Sequence, residues 1–128
     1  MISVACPCGS GAAYAACCGP LHQDAQPAPT ALALMRSRYA AFAIGDGDYL
    51  FRTWYPRTRP DAVGLDPALT WTGLEITDLV AGGPDDDAGE VAFVARWHTR
   101  SGEEGAVTER SRFVRRAGRW LYLDGVHD

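Results

Sequence analysis

The sequence predicts an α+β fold, with helices packed on one face of a curved, four-stranded antiparallel sheet and a small metal-binding module ahead of them. Three observations carry this. All four cysteines stand within the thirteen residues from Cys6 to Cys18. Between Thr30 and Trp54, apolar residues recur at three- and four-residue steps, the period of a helix. From Leu69 onward the period becomes alternating and is broken by glycine-rich turns, which is the pattern of a strand meander.

The cysteines fall as C-x-C-x8-C-C. Cys6, Cys8, Cys17 and Cys18 are the right number and type of donor for a tetrahedral zinc site, and a site filled by four protein ligands is structural. Gly9, Ser10 and Gly11 permit a tight turn after the first pair. Ala12 to Ala16 read as a short helical turn that returns the second pair, and Gly19-Pro20 ends it. Two disulfides, or four free thiols, are the alternatives to zinc. His22 or His98 in place of one cysteine is a further variant. No secretory leader is read at the N-terminus, so the thiols are expected to be reduced in the cytoplasm.

Gln23 to Pro29 is a polar, proline-bearing connector. Thr30 then caps a helix whose apolar stripe is Leu32, Met35, Tyr39 and Phe42, and Gly45 stops it. Asp48 is a second cap, opening a short helix from Tyr49 to Trp54 that must end before Pro56. Asp66-Pro67 opens a brief turn. Strands are predicted over Leu74 to Val80, Glu90 to Arg100, Ala106 to Arg116 and Arg119 to Val126. The turns between them are Gly82 to Asp87, Ser101 to Gly105, and a tight Ala117-Gly118 hairpin. The three aspartates at 85–87 read as a solvated loop rather than a calcium site.

Composition bounds the function. The 128 residues, 47% apolar and 22% charged, are ordinary for one globular domain with a small appendage. No apolar run approaches the ~20 residues of a membrane helix, so no membrane insertion is expected. A net charge of −4 is the wrong balance for a protein that grips nucleic acid by its phosphates. RNA binding would need a local arginine face, for which Arg110, Arg112, Arg115, Arg116 and Arg119 are the candidates. No phosphate loop, dinucleotide fingerprint, nucleophile elbow or H-E-x-x-H motif is present.

Cys6-Pro7-Cys8-Gly9-Ser10-Gly11, then Tyr14 and Cys17-Cys18-Gly19, resembles the SEC-C motif. That zinc-binding module is found at the C-terminus of the SecA translocation ATPase and in many other bacterial proteins. The lysines usual around its tyrosine are alanines here, at 12, 13, 15 and 16. Further along, Leu34 to Tyr39, Tyr49-Leu50 with Thr53-Trp54, Ser111-Arg112-Phe113, and Gly118-Arg119-Trp120 with Tyr122 and Asp124-Gly125 resemble the YchJ (UPF0225) family. The helical half folded over a curved meander is similar to the cone of the nuclear-transport-factor-2-like (NTF2-like) superfamily. The resemblance implies a SEC-C-like zinc module over residues 1–22, a linker over 23–29 and an NTF2-like domain over 30–128. It implies no reaction. It does imply a protein partner from export, chaperone or ribosome-associated machinery, and the superfamily's habit of dimerising through the sheet. Family members often carry histidine where this chain has Tyr55 and Thr108.

Cones of this kind commonly enclose a cavity, so polar residues at core-facing positions are the candidates for chemistry. Glu109 and Ser111 alternate onto the same face as Val107 and Phe113, and a buried carboxylate there needs a partner, which Arg36 or Arg38 can supply. A pocket of Arg38, Trp54, Trp97, Glu109, Ser111 and Tyr122 is expected. Within it Glu109, with Asp124 or His98, is a candidate for general acid–base work. The competing reading is a buried arginine–glutamate pair in an ordinary aromatic core. His98 should point away from the Trp97 face. The sequence favours a non-enzymatic protein-interaction module with structural zinc. An enzyme or small-molecule binder using the cone pocket is the alternative. Loss of Cys6 or Cys17 is expected to unravel residues 1–22 alone.

Overall fold

The computed structural model describes residues 4–127. A 3-10 turn at Tyr14–Ala16 and helix α1 (Gly19–His22) belong to the cysteine module. They are followed by helices α2 (Ala31–Ile44) and α3 (Gly47–Arg52) and by strands β1 (Leu69–Ala81), β2 (Ala88–Thr99), β3 (Glu104–Arg116) and β4 (Arg119–His127). The strands form one antiparallel sheet in the order β1-β2-β3-β4, a plain meander. Among the described residues no helix is long and apolar enough to cross a membrane.

Helix α2 begins where the sequence requires. Thr30 Oγ1 accepts from the Ala33 amide at 3.0 Å, and Gly45 closes the helix in the left-handed region at φ +81°. The Ala31 amide also donates to the Gly82 carbonyl at 2.9 Å, which fixes the start of α2 to the β1–β2 turn. The second cap differs from expectation. Asp46, not Asp48, accepts from Tyr49 N at 3.0 Å, and Asp48 instead pairs with Arg52 one turn on at 2.6 Å. Likewise the short helical turn ends at Ala16, ahead of Gly19-Pro20. Proline's fixed φ and missing amide suit a first helical turn, so the pair opens α1.

Bulges set the shape of the sheet. Gly73 follows Trp71 in the pairing of β1 with β2, and Asp78 follows Ile76, so Thr72 and Thr77 are extra residues. Leu123 is extra on β4, between the pairs Phe113↔Tyr122 and Arg112↔Asp124. Each bulge bends its strand and raises the local twist, curving the sheet around α2. The inner face carries Val91, Phe93, Ala95 and Phe113, which pack against Leu34, Met35, Tyr39 and Leu50 from the helices. The chain after α3 is clamped to β4 by two bonds of 2.8 Å, Tyr55 N to Tyr122 O and Tyr122 N to Thr53 O.

The outer face is charge-paired, with Val80 and Val126 exposed among the ion pairs. Arg110 reaches Asp78 at 2.7 Å and Glu90 at 3.3 Å, Arg96 reaches Glu75 at 3.1 Å, and Arg112 grips Asp124 with Nε at 2.6 Å from Oδ1. Arg119 pairs with Asp24 at 2.8 Å and Arg115 with Asp87 at 3.5 Å. Four of the five arginines that composed the candidate nucleic-acid face therefore have acidic partners.

Helix α2 is covered on both sides. One side faces the sheet. On the other, Ala40 is fully buried against Cys6, Cys8 and Cys18. Arg36 Nη1 donates to the Cys8 carbonyl at 2.9 Å. His22 Nε2 donates to the Ser37 carbonyl at 2.7 Å, and Arg52 Nη2 donates to the His22 carbonyl at 2.5 Å. The cysteine module is thus joined to α2 and α3 by buried contacts and by hydrogen bonds to the backbone. Ala40→Leu is expected to lower stability by about 1–3 kcal/mol through overpacking, and to raise thiol reactivity in the module. Denaturant midpoints and a thiol-labelling rate measured on the same protein check both.

Candidate functional site

Two sites are built on α2. The first is the cysteine cluster. The turn at Gly9 and Gly11, at φ +80° and +88°, folds Cys6-Pro7-Cys8 back toward Cys17-Cys18. Cys6 N donates to Ala12 O at 2.9 Å and Tyr14 N to Val4 O at 2.8 Å, so the loop is a small hairpin. All four sulfurs lie within 4.8 Å of one another, and none is in a disulfide. The Cys8–Cys17 and Cys17–Cys18 sulfur separations are 3.6 and 3.9 Å. A zinc tetrahedron with bonds of ~2.3 Å has sulfur–sulfur edges of about 3.8 Å, so the donor set fits a metal ion of that size. Electrostatics divide the thiols. Burial raises the Cys18 thiol, with Cys6 adding to the effect. Burial also opposes ionisation of Cys8, but hydrogen bonds from Ser10, Cys6 and Cys17 outweigh it and bring that thiol down to about 7. Cys8 is thereby readier to ionise than Cys6 or Cys18, as a metal ligand must be.

Behind the cluster runs a buried relay. His22 Nε2 faces a carbonyl, which only accepts, so Nε2 carries the proton and Nδ1 accepts from the Tyr14 hydroxyl at 2.6 Å. Ser37 Oγ donates to the Leu34 carbonyl at 2.8 Å, and the Tyr49 hydroxyl then donates to Ser37 Oγ at 2.7 Å. His22 therefore positions the module; among the described residues the metal-capable cluster is made of the four cysteines.

The second site is a partly open cavity of about 300 Å³ between α2 and the inner face of the sheet. Met35, Tyr39, Phe42, Trp54, Trp71, Phe93, Ala95 and Val107 supply apolar walls. Arg38, Glu109, Ser111, Tyr122 and His127 supply the polar ones. Ser111 Oγ donates to Glu109 Oε2, the Tyr122 hydroxyl donates to the same oxygen at 3.3 Å, and His127 Nε2 lies 2.9 Å from Oε1. Burial, reinforced by Glu109, raises the Tyr122 phenol, so it stays a donor. The carboxylate lies over Gly125, where a Cβ would overlap it. His127 is 66% exposed and stands at the rim.

Arg38 lies deeper, at 4% exposure. Its Nη1 donates to the Leu50 carbonyl at 2.9 Å and to Thr53 Oγ1 at 2.7 Å. The guanidinium carbon sits 4.7 Å from the Tyr122 ring centre and 5.2 Å from that of Trp54, within cation–π range of both. Desolvation brings its pKa down to about 10, with Tyr122, Tyr49 and Glu109 opposing. It remains charged at neutral pH.

Of the six pocket residues expected from sequence, Arg38, Trp54, Glu109, Ser111 and Tyr122 line the cavity. Trp97 does not. It pairs with Gly105 across the ladder, and its indole lies down over that glycine, where any Cβ would overlap the ring. Asp124 is also misplaced by the sequence pattern. The extra residue Leu123 reverses the alternation of β4, so Asp124 points outward to Arg112 while Gly125 and His127 face in. His98 is exposed and paired outward, as its parity requires. Neither Arg36 nor Arg38 forms the expected ion pair with Glu109; Arg36 is spent on the Cys8 carbonyl.

The model for the YchJ middle NTF2-like domain matches residues 30–125, and that for the SEC-C motif matches residues 4–20. A UPF0225 protein of Streptomyces coelicolor is 51% identical over 94% of this chain and 93% of its own length. The chain belongs to the UPF0225 (YchJ) family. Its architecture is shared. The solution structure of a SEC-C motif containing protein from Rhodopseudomonas palustris superposes with a TM-score of 0.82 at 37% identity, covering 94% of this chain and 96% of that one. The crystal structure of a SEC-C motif containing protein from Psychrobacter arcticus gives 0.76 at 28% identity, covering 93% and 80%.

In this UPF0225 chain the residue sequence reasoning missed is His127. Its signal was the Glu109↔His127 register, hidden by the Leu123 bulge. Gly125→Ala is expected to displace the Glu109 carboxylate, break its contact with His127 and cost about 1–3 kcal/mol. Gly64→Ala, at a position open on all sides, is the control and should stay within about 0.5 kcal/mol of the parent. Denaturation midpoints and the His127 imidazole resonances report the two effects.

Proposed function

We propose that this protein is a small-molecule binder whose ligand occupies the cone cavity, on a fold fastened by a structural zinc ion at Cys6, Cys8, Cys17 and Cys18. The observation that carries the reading is the cavity itself. It has ligand-site volume, an aromatic and aliphatic lining, and a few convergent polar groups. Of the two readings carried from the sequence, a protein-interaction module and an enzyme or small-molecule binder using the cone pocket, the cavity supports the second. The paired charges of the outer sheet face offer less to a docking partner.

Binding is favoured over catalysis by the state of Glu109. It accepts from Ser111 and Tyr122 and contacts His127, so its lone pairs are largely engaged within the protein. A general base needs a free position facing the proton it takes. Zinc is favoured over other metals by an all-thiolate donor set at tetrahedral separations. Reduced thiols at such a site fit the cytoplasm.

Protein purified without chelator is expected to hold one zinc per chain by elemental analysis. Cys8→Ser should lose it, and with it several degrees of melting temperature. Ala95→Phe projects a ring into the cavity. It is expected to keep the fold by circular dichroism and to abolish binding of a probe such as 2-naphthoate. Full binding by the filled variant would sink the cavity reading, whatever the metal content.

A further inference from the structure

The cavity contains a cation whose hydrogen-bonding capacity is not used by the protein. Both bonds of Arg38 leave from Nη1. Among the described residues, Nε and Nη2 have no hydrogen-bond partner. The open space that Arg38 lines is the cavity. Arg38 is nevertheless 96% buried in side chains and backbone, by its 4% exposure. A buried guanidinium with unspent donors is costly unless something accepts from them.

Nε and one terminal nitrogen of a guanidinium form a planar fork that matches the two oxygens of a carboxylate. The rings of Trp54 and Tyr122, packed edge to face at 5.0 Å, both contact the guanidinium and restrain it from adjacent directions. Glu109, the other charged group deep in the cavity, is already engaged by Ser111, Tyr122 and His127. It repels a second carboxylate, and so directs an acid group to the Arg38 end. The rest of the lining, including Trp71, Phe93 and Phe42, offers flat apolar surface.

We infer that the Arg38 end of the cavity is an acid subsite, and that the ligand is a small organic carboxylate with a flat apolar body, its carboxylate bridging Nε and Nη2 of Arg38. This rests on the cavity reading above and adds the chemical class of the ligand.

The experiment uses the full chain and two probes of nearly the same shape, 2-naphthoate and methyl 2-naphthoate, titrated by calorimetry at neutral pH. The Arg38 Nε–H resonance is followed in parallel. The carboxylate is expected to bind at least tenfold more tightly than the ester, the scale of one charge-assisted hydrogen bond, and to shift the Arg38 resonance. Equal binding, or tighter binding of the ester, overturns the acid subsite and leaves the cavity reading standing. No binding of either at millimolar concentration overturns both. Arg38→Met should remove the preference between the probes. Because that variant also loses the bonds to Leu50 and Thr53, the decisive comparison is the probe pair on the unaltered protein.

Discussion

The structure depends on one helix being buried from two sides. A fourteen-residue helix is marginal alone in water, and α2 has no broad polar stripe to give to solvent. Its sheet side presents Met35, Arg38, Tyr39 and Phe42 to the cavity, and its opposite side presents Ala40 to the cysteines. Three consecutive residues show the division. Arg36 holds the Cys8 carbonyl, Ser37 offers its carbonyl to His22, and Arg38 turns to the cavity. A segment the size of the cysteine module cannot build a core of its own. Here it uses four sulfurs in place of a core and covers the side of α2 that the sheet cannot reach.

That arrangement links the two sites physically. The relay from Tyr14 through His22 ends on the Ser37 carbonyl, and the Tyr49 hydroxyl meets Ser37 from the other side. Leu50, one residue beyond Tyr49, receives the Arg38 bond. The groups that seat the module and the groups that orient Arg38 are therefore neighbours on α2 and α3. Loosening the module removes a wall from the helix that carries the cavity's cation.

Much of this was legible from the residues. The cysteine spacing, the Thr30 cap, the Gly45 stop and the four-strand meander all follow from local chemistry: ligand number, an orphan amide needing an acceptor, a left-handed residue, a period of two. Glu109 and Ser111 were visible as polar residues on an apolar face. The misses share another cause. Bulges at Thr72, Thr77 and Leu123 insert single residues, and a period of two has no memory across an insertion. Asp124 was read inward and His127 went unread for that one reason. Trp97 had the right parity, but its neighbour across the ladder is a glycine, and an indole beside a glycine can lie flat instead of standing into the cavity. Pair identity across strands is fixed by register, which the sequence of one strand does not contain.

The polar groups of the cavity also argue against a plain core. A core arginine is ordinarily held by a carboxylate, and Glu109 was the obvious candidate. Instead, the two charges are kept on separate partners. Glu109 takes hydroxyls and a histidine; Arg38 takes a carbonyl, a threonine and two aromatic rings. Joining them would have closed the cavity and satisfied both at once. Keeping them apart leaves space between apolar walls, with a guanidinium fork unspent at one end. A fold selected only for stability gains little from that separation, because without a direct ion pair each charge keeps more of its own desolvation cost. A fold that must accept a charged guest gains a subsite already oriented before the guest arrives.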